Sequence, residues 1–242
     1  MNSILLIAII AILGPIIGSL IGVLKKPSET IMYNLLAFAA GVMLTISFLN
    51  LLPTAISQSS PIIAIIGFLI GCGIIFTVDK MIPHIHPELC SQEQGKKLEK
   101  TAYFLLAGIF IHNIPEGMAI GISGIASFKL SLSVALAIAI QKIPEGICTS
   151  VPYFYVTKKR LKSFLISAST AIPMLIGYFI ASYFFQGFPN WMLGLITAAT
   201  AGFMVYIASD ELIPSSCCQL TNHSTIFSLI LGVIIVIGLQ IL

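Results

Sequence analysis

The sequence predicts an all-α membrane protein, and three observations carry that prediction. Its 242 residues are 57% hydrophobic, with a mean hydropathy of +1.04. Only 9% are charged, against roughly 25% in a soluble domain. The apolar residues gather into windows of about 20, the length of helix that crosses a bilayer core about 30 Å thick.

Eight such windows follow one another: 3–24, 31–57, 61–79, 101–122, 130–152, 163–185, 190–213 and 223–242. The first is a true span and not a secretory signal, because no basic residue precedes it and its apolar run is too long. The second carries Asn50 and Pro53 near its end, and the third closes on Asp79. A single long connection, 80–100, reads KMIPHIHPELCSQEQGKKLEK and divides the chain into three spans and then five. The seventh span ends on Asp210 and Glu211, and the eighth has little polar punctuation before it. The whole chain, 1–242, reads as one transmembrane domain.

Basic residues orient it. Lys25 and Lys26 lie in the first connection, Lys80, Lys96, Lys97 and Lys100 in the third, and Lys158, Lys159, Arg160 and Lys162 in the fifth. By the positive-inside rule the odd connections, 80–100 included, are cytoplasmic and both termini extracytoplasmic. Low charge, abundant Ile and short loops fit the cytoplasmic (inner) membrane of a bacterium. The net charge of +3 is accounted for by these loops, and nothing indicates nucleic acid binding. The five cysteines form no CxxC pair, so neither a zinc ribbon nor a disulfide framework is expected.

Spans four and five contain the polar residues that lie too deep to be incidental. An ionisable side chain at a span's centre costs about 2.5–3.5 kcal/mol on insertion scales. Yet IHNIPEGMAI at 111–120 is answered by AIQKIPEGIC at 139–148. His112 and Glu116 are four apart, as are Gln141 and Glu145, so each pair shares a helical face. Asn113 and Lys142 stand three before each glutamate. Pro115 and Pro144 remove a backbone donor, which predicts kinks there, and Gly117 and Gly146 allow a neighbouring helix to approach closely. Consecutive spans are antiparallel, so one motif in two orientations is the trace of a two-fold axis in the membrane plane, a common place for a transport site. A weaker echo joins Asn50-Leu-Leu-Pro53 to Glu211-Leu-Ile-Pro214.

An imidazole, two carboxylates and an amide oxygen form a ligand set suited to Zn²⁺ and open to Fe²⁺, Mn²⁺, Co²⁺ or Cd²⁺. Without a thiolate, such a set holds metal loosely enough to release it. The metal is cargo, so no permanent cofactor is expected.

His112-Asn113-Ile114-Pro115-Glu116-Gly117 followed by Gln141-Lys142-Ile143-Pro144-Glu145-Gly146 resembles the signature of the ZIP (Zrt/Irt-like) divalent metal transporters, most closely their bacterial GufA-type branch. The resemblance implies a 3+2+3 inverted-repeat arrangement, a homodimer among membrane lipids, and metal movement toward the cytoplasm by alternating access. It implies His112, Glu116, Gln141 and Glu145 as the transport-site ligands, and Asn113 as part of a neighbouring second site. Asp79, His84, His86, Asp210 and Glu211 resemble positions along a cytoplasmic exit route. Two departures matter: Lys142 stands where binuclear members carry an acid, and Ile172 precedes Pro173 where they carry Glu. Lys142 is therefore expected to replace a second metal and leave a mononuclear site. The alternative is a cation/proton antiporter using the buried Glu and Lys, although His112 and Gln141 suit a metal better. An intramembrane metalloenzyme is disfavoured, since HExxH is absent and each Glu is already used as a ligand.

Overall fold

The computed structural model describes residues 2–25, 27–81, 96–217 and 223–241, and these form helices joined by short turns. In chain order they are α1 (Asn2–Leu24), α2 (Glu29–Ile46), α3 (Leu52–Gln58), α4 (Pro61–Met81), α5 (Lys96–Ala126), α6 (Phe128–Thr157), α7 (Arg160–Ala168), α8 (Ala171–Phe184), α9 (Asn190–Ile207), α10 (Ile213–Cys217) and α11 (Ser224–Leu239). Six stretches are long and apolar enough to cross a membrane: Leu5–Leu24, Thr30–Gln58, Pro61–Val78, Phe128–Val151, Arg160–Phe184 and Asn190–Ser216. The shorter Ser224–Leu239 is apolar as well.

Sequence sets the helix ends. Ser28 caps α2 by accepting from the Ile31 N–H at 3.4 Å, and Ser127 caps α6 through Leu130 N–H at 3.1 Å. Ser127 alone separates α5 from α6. Helix α6 stops at Lys158, whose left-handed φ of 53° ends the helical path ahead of the basic turn.

Regular helix is interrupted where the sequence did not point. Helices α5 and α6 run unbroken through Pro115 and Pro144. The irregular turns are the π-helical segments Ser47–Leu51, between α2 and α3, and Ala208–Leu212, between α9 and α10. Each is followed at once by a proline-bearing turn, Pro53 or Pro214, and closes with an N–H reaching back five residues, Leu52 to Ser47 and Ile213 to Ala208. A widened turn ahead of a proline tolerates the missing donor, and such turns recur at functional sites. The sixth predicted span is also divided: α7 and α8 meet at Ser169–Thr170, where the Thr170 and Ile172 N–H groups bond three residues back instead of four, ahead of Pro173.

Four pairs of helices pack most densely: α1 with α6, α5 with α8, α4 with α9 and α2 with α11. The seams depend on glycine. A Cβ on Gly18 would strike the Ile143 carbonyl, and one on Gly177 the Ile114 carbonyl. Gly41 lies against the Leu229 carbonyl and Gly202 against that of Phe68, while Gly71 meets Ala199 and Gly232 meets Phe38. The last four contacts repeat with one constant offset in numbering, 41 and 229 onto 202 and 68, 71 and 199 onto 232 and 38. Gly117 and Gly146 behave as their sequence predicted, against Met174 of α8 and Pro15 of α1.

A continuous apolar core that includes Ile46, Ile120, Ile138, Met174 and Met204 fills the centre. Outward, α4 exposes Ile62, Ile65 and Leu69, and α11 exposes Ile226, Phe227 and Ile234. That much exposed aliphatic surface is the expected outer face of a protein solvated by lipid.

Candidate metal site

The two IPEG motifs meet in one buried charged cluster. Helix α5 delivers Asn113 and Glu116, and α6 delivers Gln141, Lys142 and Glu145. Asn113, Glu116, Gln141 and Lys142 are each at most 1% exposed, in a core otherwise built of Ala, Ile and Met.

Lys142 organises it. Its Nζ lies 2.5 Å from Glu116 Oε2 and 2.5 Å from Asn113 Oδ1, and donates also to Glu145 Oε2. Asn113 Oδ1 and Glu145 Oε2 accept hydrogen bonds from the ammonium, while Glu116 Oε2 meets it as an ion pair without a hydrogen bond. Asn113 is held in turn, its Nδ2 donating to the Thr170 carbonyl at 2.6 Å, at the break between α7 and α8. Gln141 Nε2 donates to Glu116 Oε1 at 2.8 Å, while Gln141 Oε1 is buried without a hydrogen-bond partner. An orphaned buried acceptor is costly, and a cation beside it would relieve the cost.

The turn that carries Glu145 is fixed by hydroxyls. Thr149 Oγ1 donates to the Glu145 carbonyl at 2.7 Å and lies 2.8 Å from Ser167 Oγ, which accepts from Ser19 Oγ at 2.7 Å. These bonds tie α1 and α7 to the helix holding the carboxylate.

His112 is placed differently. Its Nε2 faces Glu211 Oε1 at 3.3 Å, across to the π segment after α9. Of the four ligands expected from sequence, Glu116, Gln141 and Glu145 therefore gather around Lys142, and His112 turns toward Glu211. Among the described residues no three His, Cys, Asp or Glu side chains converge as a metal cage. Asp210 stands half-buried beside Glu211. Asp79 belongs to the last turns of α4, while His84 and His86 lie outside the described residues.

Sequence spacing found the charged cluster but not the His112–Glu211 contact, whose partners are far apart in the chain. The one available hint was the likeness between the segments ending in Pro53 and Pro214.

A helical membrane protein that gathers two carboxylates around a buried lysine where a duplicated motif meets belongs to the class of polytopic ion transporters. The model of the family described as "ZIP Zinc transporter" matches residues 1–100 and 86–240. A relative named "Zinc transporter ZupT" from Chlorobium chlorochromatii (strain CaD3) is 35% identical over 90% of this chain and 89% of its own length. Proteins of the same name from Escherichia coli O127:H6 and O1:K1 are each 31% identical over 87% of this chain and 85% of their own. The chain belongs to the ZIP family. It is a multi-pass integral membrane protein of a family of divalent-metal transporters, not enzymes.

Proposed function

We propose that this protein moves zinc toward the cytoplasm through a mononuclear site formed by His112, Glu116, Gln141 and Glu145, with Lys142 standing in for a second metal ion. The observation that carries this reading is the three-oxygen grip on the Lys142 ammonium by Asn113, Glu116 and Glu145. Two carboxylates and an amide oxygen converging on one cation are chemically a hard-metal site, here filled by a tethered cation. Zinc loading then requires Lys142 to share Glu116 and Glu145, uses the orphaned Gln141 Oε1, and draws His112 away from Glu211. Fe²⁺, Mn²⁺, Co²⁺ and Cd²⁺ suit the same ligands, and the relatives' names favour zinc first.

In this reading the chain crosses the membrane eight times in a 3+2+3 inverted repeat with both termini outside. The constant offset between the glycine contacts of α2–α11 and those of α4–α9 supports it. The helices then divide labour, α1, α5, α6, α7 and α8 carrying the site past a scaffold of α2, α3, α4, α9, α10 and α11. Glu145 and His112, 23% and 12% exposed, lie on the side of the cluster nearer the basic turn Lys158–Arg160. Ile120, Ile122, Val134 and Ile138, on the opposite side, are fully buried. Exposure toward the basic side matches an inward-facing carrier. Asp79, His84, His86, Asp210 and Glu211 follow as the release route. A homodimer in the bacterial inner membrane completes the proposal, with lipid covering the outer faces.

The test is zinc uptake into proteoliposomes by the wild type and by Glu116→Ala combined with Glu145→Ala. Saturable uptake that the double substitution abolishes is expected. Uptake that survives it would assign the carboxylates to protons or to folding, and would bring the antiporter reading forward.

A further inference from the structure

The contact between His112 and Glu211 lacks a counterpart in the other half of the molecule, although residues for one are present. The offset that carries the α2–α11 glycine contacts onto α9 and α4 also carries Asn50 onto Glu211. Both residues occupy the fourth position of a π-helical segment, and both stand three before a proline. The offset between the two IPEG motifs carries His112 onto Gln141. The equivalent of His112–Glu211 is therefore Gln141–Asn50.

Neither residue makes that contact here. Gln141 spends its Nε2 on Glu116 and keeps a buried Oε1 without a partner. Asn50, only 5% exposed, accepts at Oδ1 from Gln240 Nε2 at 3.2 Å, a residue just beyond the end of α11. An amide is expensive at that depth, and tying down the end of α11 is a slight return for burying it.

We propose that Asn50 is the partner of Gln141 in the opposite conformation of the carrier, its amide donating to Gln141 Oε1 when the His112–Glu211 contact is open. This rests on the inverted-repeat, alternating-access reading given above. Two halves with equivalent backbone seams have two packings of similar energy, in which each half adopts the arrangement the other now holds. His112–Glu211 links site and scaffold on the side of the basic turns, and Gln141–Asn50 links them on the other side. Each contact ties α5 or α6 to a π segment, so the exchange moves the carrying helices between two fixed anchors. Asn50 is thus a positioning residue of transport, acting through Gln141.

The experiment uses the full chain in proteoliposomes, with Cys72, Cys90, Cys217 and Cys218 replaced by Ser and Cys148 retained. Asn50→Cys with Gln141→Cys, His112→Cys with Glu211→Cys, and the control Leu49→Cys with Gln141→Cys are oxidised without metal. Both proposed pairs are expected to form disulfides well above the control. Cys148 should then react with a maleimide roughly tenfold more slowly in the 50/141-locked protein than in the 112/211-locked one, as expected when an equilibrium is displaced by a factor of that order. A 50/141 yield at the control level, or equal labelling of Cys148 in the two locked forms, overturns the proposal. Asn50→Leu with every ligand intact is an independent measurement. Zinc stoichiometry by calorimetry should be unchanged and uptake should slow by roughly five- to tenfold, the effect of losing one hydrogen bond in one of the two states. Uptake at the wild-type rate overturns it. Either failure alongside wild-type uptake that still depends on Glu116 and Glu145 leaves the zinc site standing and rejects only the role of Asn50.

Discussion

In the proposed site, a single side chain, Lys142, sets the metal stoichiometry. It sits between the Glu116 and Glu145 carboxylates, hydrogen-bonded to Asn113 and Glu145 and ion-paired with Glu116. Removing one partner of a buried ion pair costs about 3–5 kcal/mol, because the remaining charges are left facing each other in a poor solvent. Lys142→Ala should therefore melt well below the wild type in detergent. Zinc at a hundred times the variant's dissociation constant should return about 2.7 kcal/mol by mass action. Lys142→Asp should go further and bind two divalent ions where the wild type binds one, read by calorimetric titration. Wild-type melting in Lys142→Ala, or a single equivalent of metal in Lys142→Asp, would remove the lysine from its assigned role. This part of the site was legible in the sequence, since carboxylates and a lysine at three- and four-residue spacing in apolar helices have few other uses. The orientation of His112 was not, because it depends on Glu211, whose approach is set by packing between α5 and the far end of α9.

At the scale of elements, the site is positioned by helices brought close through glycine. Gly18 places α1 against the carbonyl of Ile143, two residues before Glu145, and Ser19 beside it joins the hydroxyl cluster that holds the Glu145 turn. Gly18→Leu would force α1 away from α6, and overpacking of this kind costs about 1–3 kcal/mol. A lower melting temperature together with weaker zinc binding is the expected result, measured by thermal unfolding and calorimetry on one preparation. Gly73→Leu on α4 is the control, as nothing lies within 4 Å of the position its Cβ would take, and both properties should stay at wild-type values. Equal effects of the two substitutions would mean that the α1–α6 seam does not position the carboxylate. The apolar windows of the sequence located most of these helices to within a few residues, because hydropathy and a 3.6-residue repeat record a membrane span directly. The π segments escaped, although Pro53 and Pro214 mark them. Proline shows that a donor is missing, but whether the helix widens into a π turn or continues as α-helix is decided by neighbours, and α5 and α6 continue as α-helix through theirs.

Across the whole molecule, the proposed division into carrying and scaffold helices and the one-sided exposure of the cluster make a single prediction about direction. Cys148 follows Glu145 by three residues on α6, toward the Lys158 turn, and is half-buried like Glu145 itself. Beyond the cluster toward Ser127, by contrast, Ile120, Val134, Ala135 and Ile138 have no exposure at all. Read as an inward-facing carrier, this conformation predicts that a reagent reaches Cys148 from the end bearing Lys158, Lys159 and Arg160 and not through the opposite end. In the proposed topology, oriented by the positive-inside rule, that end is cytoplasmic. A membrane-impermeant maleimide should label Cys148 in inside-out vesicles and leave it unlabelled in right-side-out vesicles, with Cys72, Cys90, Cys217 and Cys218 replaced by Ser so that one thiol is read. Saturating zinc should then slow the inside reaction, since metal on Glu145 shields the turn below it and promotes the opposite conformation. Labelling from the right-side-out face would invert the assigned topology. Labelling from inside that zinc leaves unchanged would keep the topology but separate the metal from Glu145, so one thiol checks both the orientation of the fold and the location of its cargo.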